Sequence, residues 1–245
     1  MNWFSYAVLP LLIFVSWVIA CISGAIPTIL LPTPQSVLEA FCLAVKDGSL
    51  VHNILASALR SLSGFFLAAF FGVSLGLLFA YNKTAHRMGY VAVEAIRVTP
   101  PLALIPLLIL WLGIDEAPKI AIVFLSSFFP IYMNSLTAVK TIDPKLIEVG
   151  KLMNFSRWEE FRLLTLPASL PGILTGLRLG FGYSWRALVG AELIAASSGL
   201  GFLISESAEF AKTETVFVGI FTIVILGILA DNLLSFLVKR ATKHG

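Results

Sequence analysis

The chain has 245 residues, 58% of them hydrophobic and only 13% charged, where ordinary soluble domains carry about 45–50% apolar and about 25% charged residues. With a mean hydropathy of +0.93, this composition argues against a soluble globular enzyme. The net charge of +3 comes from basic residues dispersed between apolar runs, which suits the loops of a membrane protein and not a nucleic-acid footprint.

A bilayer core about 30 Å thick needs about 20 apolar residues of helix. Six stretches reach that length: 4–22, 57–81, 91–112, 120–139, 170–195 and 217–238. The first has no basic residue ahead of it and no small-residue cleavage site behind it, so it reads as a retained anchor and not a signal peptide. Cys21 and Cys42 suit small apolar fillers, since two cysteines at this spacing make neither a disulfide framework nor a metal site. In the loop 23–53, Ser36 is the expected cap of a short amphipathic helix starting near Val37 and lying along the outer interface. The third span is interrupted by Pro100, Pro101 and Pro106, which predicts a kinked or broken helix.

The loop 141–167, TIDPKLIEVGKLMNFSRWEEFRLLTLP, is the one long polar island. Asp143 before Pro144 reads as an N-cap with proline at the first helical position. Asn154 tolerates the left-handed conformation of a helix stop. Ser156 with Glu159 forms a capping box for a second short helix; Leu166-Pro167 ends the polar stretch, and Pro171 marks entry to the fifth span. Leu146, Ile147, Val149, Leu152, Met153, Phe155, Trp158 and Phe161 lie among its charges. They suit either a helix pair resting on lipid headgroups or a surface that enters a partner's groove.

Six spans put both termini on one side. The segments on that side then hold Lys83, Arg87, Lys140, Lys145, Lys151, Arg157, Arg162, Lys239, Arg240 and Lys243, against Lys46, Lys119 and Lys212 on the other. The positive-inside rule makes the termini cytoplasmic.

Ionisable residues within a bilayer cost roughly 2.5–3.5 kcal/mol each on insertion scales. At about 1.5 Å per residue, Glu94, Arg97, Arg178 and Asp231 fall at a similar depth in the inner half. An Arg178–Asp231 pair is expected, with Glu94 and Arg97 close enough to join an intramembrane charge network, serving either as helix-to-helix glue or as a cytoplasmic gate. Trp185, Arg186 and Glu192 sit toward the outer half as candidates for a translocation path. Arg186 either snorkels to headgroups or meets an anionic substrate, and Arg60 is a weaker candidate of the same kind. Gly172, Gly176 and Gly180, like Gly72 and Gly76, recur every four residues and permit close helix approach. Asp115, Glu116, Glu206, Glu209 and Glu214 give the outer side an acidic face.

No G-x-x-x-x-G-K-[ST] loop occurs, so the chain cannot hydrolyse ATP itself. No Ser/His/Asp, Cys/His or metal constellation occurs either, and His52, His86 and His244 are scattered.

The polar loop resembles the cytoplasmic coupling loop of the membrane subunits of bacterial ABC importers. That pattern is Glu-Ala-Ala, three residues, Gly, nine residues, an apolar position, one residue, then Leu-Pro. Here Glu148, Val149 and Gly150 stand at the first three positions, Asn154 at the glycine, Leu164 at the apolar position and Leu166-Pro167 at the end. Val149, Gly150 and Asn154 are departures. Asparagine keeps the turn chemistry, and Gly150 weakens the helix by roughly 1 kcal/mol against alanine. The stretches VTPPLALIPLLILWLGIDEAPKI, FFPIY, GLRLGFGYSWRALVGAELIAASSGLGFLI and LGILAD resemble the subfamily that imports nitrate, sulfonates, taurine or bicarbonate, with relatives carrying thiamin precursors.

Over roughly residues 50–240, the resemblance implies an all-α transmembrane domain of the type I ABC importer fold, a single unit of about six helices in the bacterial cytoplasmic membrane. It implies a second permease subunit (the same chain or a paralogue), two ABC ATPase subunits that bind ATP and Mg, and an extracytoplasmic substrate-binding protein. This chain itself would bind no cofactor and no nucleic acid. Glu148 is the implied ATPase-docking residue, with Gly150, Lys151, Asn154, Ser156 and Arg157 contributing to the surface. The alternatives are the same machinery carrying a heterocyclic vitamin precursor, a secondary transporter driven by an ion gradient, and a non-transporting scaffold.

Overall fold

The computed structural model describes residues 3–24 and 26–242, so Lys243 and His244 lie outside the described residues. All regular elements among these are helical. In chain order they are α1 (Trp3–Ile22), α2 (Pro34–Lys46), α3 (Ser49–Tyr81), α4 (Lys83–Val98), a 3-10 turn (Pro101–Leu104), α5 (Ile105–Leu112), α6 (Glu116–Lys140), α7 (Pro144–Leu152), α8 (Arg157–Glu160), a π turn (Phe161–Thr165), α9 (Leu166–Ala195), α10 (Leu200–Glu209) and α11 (Thr213–Thr242).

Four helices are long and apolar enough to cross a bilayer: α3, α6, the Arg157–Ala195 run and α11. A fifth arises if α4 and the segment Pro101–Leu112, bent by 89°, form one broken span; the apolar helix Val8–Ile22 is shorter. The bend falls at the expected prolines. Thr99 and Pro100 are extended, with ψ of 123° and 120°, the conformation that a following proline imposes. Pro106 makes no break; it sits in the first turn of α5, where its missing N–H costs nothing.

The centre of the bundle is α6, clasped between α3 and α9. Side-chain Cβ atoms would not fit at the contacts. One placed on Gly72 would lie 3.0 Å from Ile131 Cγ2, and one on Gly180 would lie 2.6 Å from Ile131 Cγ1. Gly76 and Gly176 meet Ser135 and Asn134 in the same way, each at 2.7 Å. Ile131 is fully buried. Both small-residue stripes are therefore spent inside the subunit, where close backbone approach gains van der Waals contact that lipid would not oppose.

Two expected boundaries shift. Helix α2 starts at Pro34, not near Val37, and its cap is Thr33, whose hydroxyl accepts the Ser36 N–H at 3.2 Å. Proline at the first helical position, with φ already fixed, sets that start. Helix α2 also packs inward as well as facing out: Val37 and Ala44 join Leu50, Leu200, Leu203 and Val218 in one core. The second concerns the short helix expected after Ser156, which is not separate from the fifth span. The run from Arg157 to Ala195 is continuous over 39 residues, because the π turn shifts the register: the Leu166 N–H bonds to Phe161 O, and Pro167 enters the first turn of α9. A π insertion is where the i→i−4 ladder is already interrupted, so a residue without an N–H is tolerated there.

Candidate functional site

The polar loop is a bent helical hairpin, built as its sequence dictates. Asp143 accepts the Lys145 N–H at 2.9 Å and caps α7. Asn154 takes φ 57°. The Phe155 N–H bonds to Gly150 O and the Asn154 N–H to Lys151 O, the paired bonds of a Schellman stop. Ser156 and Glu159 complete a reciprocal capping box at the start of α8. Gly150 is buried, and a Cβ there would come 2.7 Å from Leu164 Cδ1. Its small cost to α7 is thus offset by letting the π turn seat against that helix. The Phe161 ring packs edge-on to Tyr81 at 5.9 Å and tilted against Trp158 at 5.6 Å, which ties the hairpin to the end of α3. Glu148, Lys151, Asn154, Ser156 and Arg157 are all exposed. Beside them stand Val149, Leu152, Met153 and Trp158, 46–82% exposed. Together they form an exposed apolar patch rimmed by charges, a kind of surface that meets either a partner or lipid headgroups.

Arg178 and Asp231 form a bidentate pair between α9 and α11, at 2.9 and 2.7 Å. Glu94 and Arg97 do not join them. They pair with each other one turn apart on α4, because the 89° bend carries α4 on its own course. Arg186 is exposed and lies 5.9 Å from the Tyr183 ring centroid. It lines a cavity of about 590 Å³ together with Arg97, Ser126 and Asn134.

Two of the expected path residues are elsewhere. Trp185 faces α11 and the core under α2, donating to Ile223 O at 3.3 Å; its indole is consumed in packing. Glu192 has a fully enclosed side chain, paired with Arg60 at 2.8 Å. Neither Glu192 nor Arg60 presents charge to a path, since each is saturated by the other's network.

That network went unread in the sequence. Arg60 spends all five of its N–H donors: Nε and Nη2 on Glu116, Nη1 on Glu192 and Ser198 O, and Nη2 also on Ser198 Oγ. Glu192 additionally accepts from Ser57 Oγ and the Gly201 N–H. The Leu200 N–H goes to Ser57 Oγ and the Gly199 N–H to Asn53 Oδ1. The first N–H groups of α10, which have no partner within their own helix, are thus satisfied by side chains of α3 and by a carboxylate suited to a helix N-terminus. The available signal was the spacing of Asn53, Ser57, Arg60, Ser61 and Gly64, a polar stripe on one face of an otherwise apolar span. Glu116, expected on the acidic outer face, is held by Arg60 and Lys119.

The family described as "binding-protein-dependent transport system inner membrane component" matches residues 68–243. A taurine transport system permease protein of Escherichia coli is 36% identical, covering 98% of this chain and 90% of its own. A putative aliphatic sulfonates transport permease protein of Bacillus subtilis is 34% identical, over 99% of this chain and 88% of its own. Among solved structures, the inward-facing MetNI methionine ABC transporter superposes with a TM-score of 0.70 at 18% identity, covering 80% of this chain and 98% of that one.

Proposed function

The chain belongs to the family of binding-protein-dependent transport system inner membrane components, and from that membership we propose that it is the permease subunit of an ATP-driven importer for a small anion, with a sulfonate, taurine, nitrate or bicarbonate as cargo. The relatives named for taurine and aliphatic sulfonates support the anion class. The arginine-bearing cavity favours an anion over a heterocyclic vitamin precursor.

In this reading the chain spans the cytoplasmic membrane six times with both termini inside, pairs with a second permease subunit, most simply itself, and docks two ABC ATPases through the α7–α8 hairpin. Glu148 enters the ATPase cleft, while Gly150, Lys151, Asn154, Ser156 and Arg157 shape the surface around it. ATP and Mg reside in the ATPases. When these close on ATP, the hairpins are drawn together, and the membrane halves turn outward to accept cargo from the extracytoplasmic binding protein. Hydrolysis resets them.

The observation that carries this mechanism is the unbroken helix from Arg157 to Ala195. At about 1.5 Å per residue it runs roughly 58 Å, through the π turn at Phe161–Thr165 and past Pro171, from the exposed hairpin to beyond the buried Glu192. A push on one end cannot be absorbed in a floppy connector. The test is uptake of labelled taurine, nitrate, bicarbonate and ethanesulfonate into proteoliposomes holding the permease, its ATPase and its binding protein. ATP-dependent uptake of at least one supports the proposal. Uptake by the permease alone on an ion gradient would replace it with secondary transport.

A further inference from the structure

Two concavities share a wall on α9. The first, of about 590 Å³, opens between the 101–104 turn, α6 and α9. The second, of about 460 Å³, is lined by Arg178, Gly182 and Asp231. Leu179, Tyr183 and Arg186 line both. Arg178, Gly182 and Arg186 are each four residues apart, so they stand one above another on a single helix face. Gly182 is unlike Gly172, Gly176 and Gly180: a Cβ placed on it meets nothing within 4 Å. The space between the two arginines is open.

The polar groups along this face differ in how far they are satisfied. Arg178 gives Nε and Nη2 to Asp231. Arg97 gives the same two nitrogens to Glu94, so each holds a carboxylate through one edge of its guanidinium. Arg186 has the Tyr183 ring and no carboxylate bonded to it among the described residues. Ser126, 8% exposed on the wall of the first concavity, has a hydroxyl oxygen with no hydrogen-bond partner among the described residues. A guanidinium at an apolar wall without a counter-anion is costly, and its planar fork matches the oxygens of a carboxylate or sulfonate. An anion in the first concavity would supply the partner that Arg186 lacks.

We propose that α9 carries a two-station relay for a small oxoanion: Arg186, with Arg97, holds the anionic head in the first concavity and passes it along the open flank of Gly182 to Arg178, where it takes the place of Asp231. Asp231 is then the resident carboxylate that occupies Arg178 between cargoes. The relay rests on the importer reading above and adds the residues that handle the cargo within one subunit.

The experiment is ATP-dependent uptake of taurine, nitrate, bicarbonate and ethanesulfonate by the full reconstituted complex. Gly182→Ala, Gly182→Val and Gly182→Leu are compared with Arg186→Gln, Arg186→Lys and Asp231→Asn, with assembly followed by co-purification of the subunits. The relay expects uptake to fall in step with side-chain size at position 182, by at least tenfold for leucine, while the complex still assembles. It expects Arg186→Gln to lose at least tenfold and Arg186→Lys to recover part. Asp231→Asn should lower maximal uptake together with the half-saturating cargo concentration, because Arg178 then retains its anion. Native uptake by Gly182→Leu, or by Arg186→Gln, overturns the relay and leaves the importer reading standing. Uptake of none of the four anions by the unaltered complex overturns both.

Discussion

Arg60 on α3 and Glu192 on α9, 132 positions apart, meet at 2.8 Å with side chains 4% and 0% exposed. Such a pair fixes where α9 sits against α3 near the start of α10. Breaking it from one side leaves a buried charge uncompensated, at about 3–5 kcal/mol, whereas replacing both ions with apolar groups of similar volume is often near neutral. Glu192→Leu alone is therefore expected to destabilise the solubilised complex severely. Arg60→Met with Glu192→Leu should recover part of the loss, because Glu116 keeps Lys119 at 3.1 Å while the Gly201 N–H loses its carboxylate. Thermal unfolding in detergent measures both; equal loss in the single and double variants would contradict this account.

The exposed hairpin makes the next prediction. Glu148→Arg is expected to abolish co-purification of the ATPase and ATP-driven uptake, while the permease itself stays folded, since Glu148 is exposed. Ser156→Ala removes the hydroxyl that caps α8, a loss of about 1 kcal/mol. It should weaken ATPase binding severalfold without abolishing it. Pull-down across a salt series separates the two, because charge at the contact is screened and a helix cap is not.

The Arg178–Asp231 pair calls for a different expectation. Both side chains are about half exposed, at 42% and 53%, and line the second concavity; where water fills it, such a pair contributes about 0–1 kcal/mol to stability. Arg178→Ala and Asp231→Ala are expected to leave the melting temperature nearly unchanged but to lower transport, and the double variant should lose less than the two single losses combined. Additive transport losses in the double variant would reject a functional pairing.

What the sequence revealed was local or set by depth. Asp143-Pro144, Asn154 and the Ser156–Glu159 box each specify their own few residues of backbone, and the structure places each as its chemistry requires. The Arg178–Asp231 contact was legible because helical rise converts residue number into depth. Rise carries no information about azimuth, and azimuth decided the failures: Trp185 and Glu192 share a helix with Arg186 but point into packing, and Arg60 turns inward to meet Glu192. The π turn was equally hidden, because Pro167 signals a helix end unless the register slips just before it. Gly150 looked like a weakness in α7 until Leu164 was seen against it.

The clasp around Ile131 supplies a last prediction, which also tests the contrast between neighbouring glycines on α9. A Cβ on Gly180 would crowd Ile131 at 2.6 Å, with the Ser127 carbonyl 3.1 Å away. Neither backbone nor a fully buried isoleucine can yield cheaply. Gly180→Val is therefore expected to cost about 1–3 kcal/mol by overpacking, read as a lower melting temperature and poorer yield of the assembled complex. The second change Ile131→Val removes a methyl group from the crowded side and should restore part of the loss. Ile131→Val alone should cost about 0.5–1.5 kcal/mol, so rescue in the double variant has the opposite sign to the effect of either change alone. If the double variant is instead worse than Gly180→Val, the close approach of α9 to α6 at this point is not what holds the two helices.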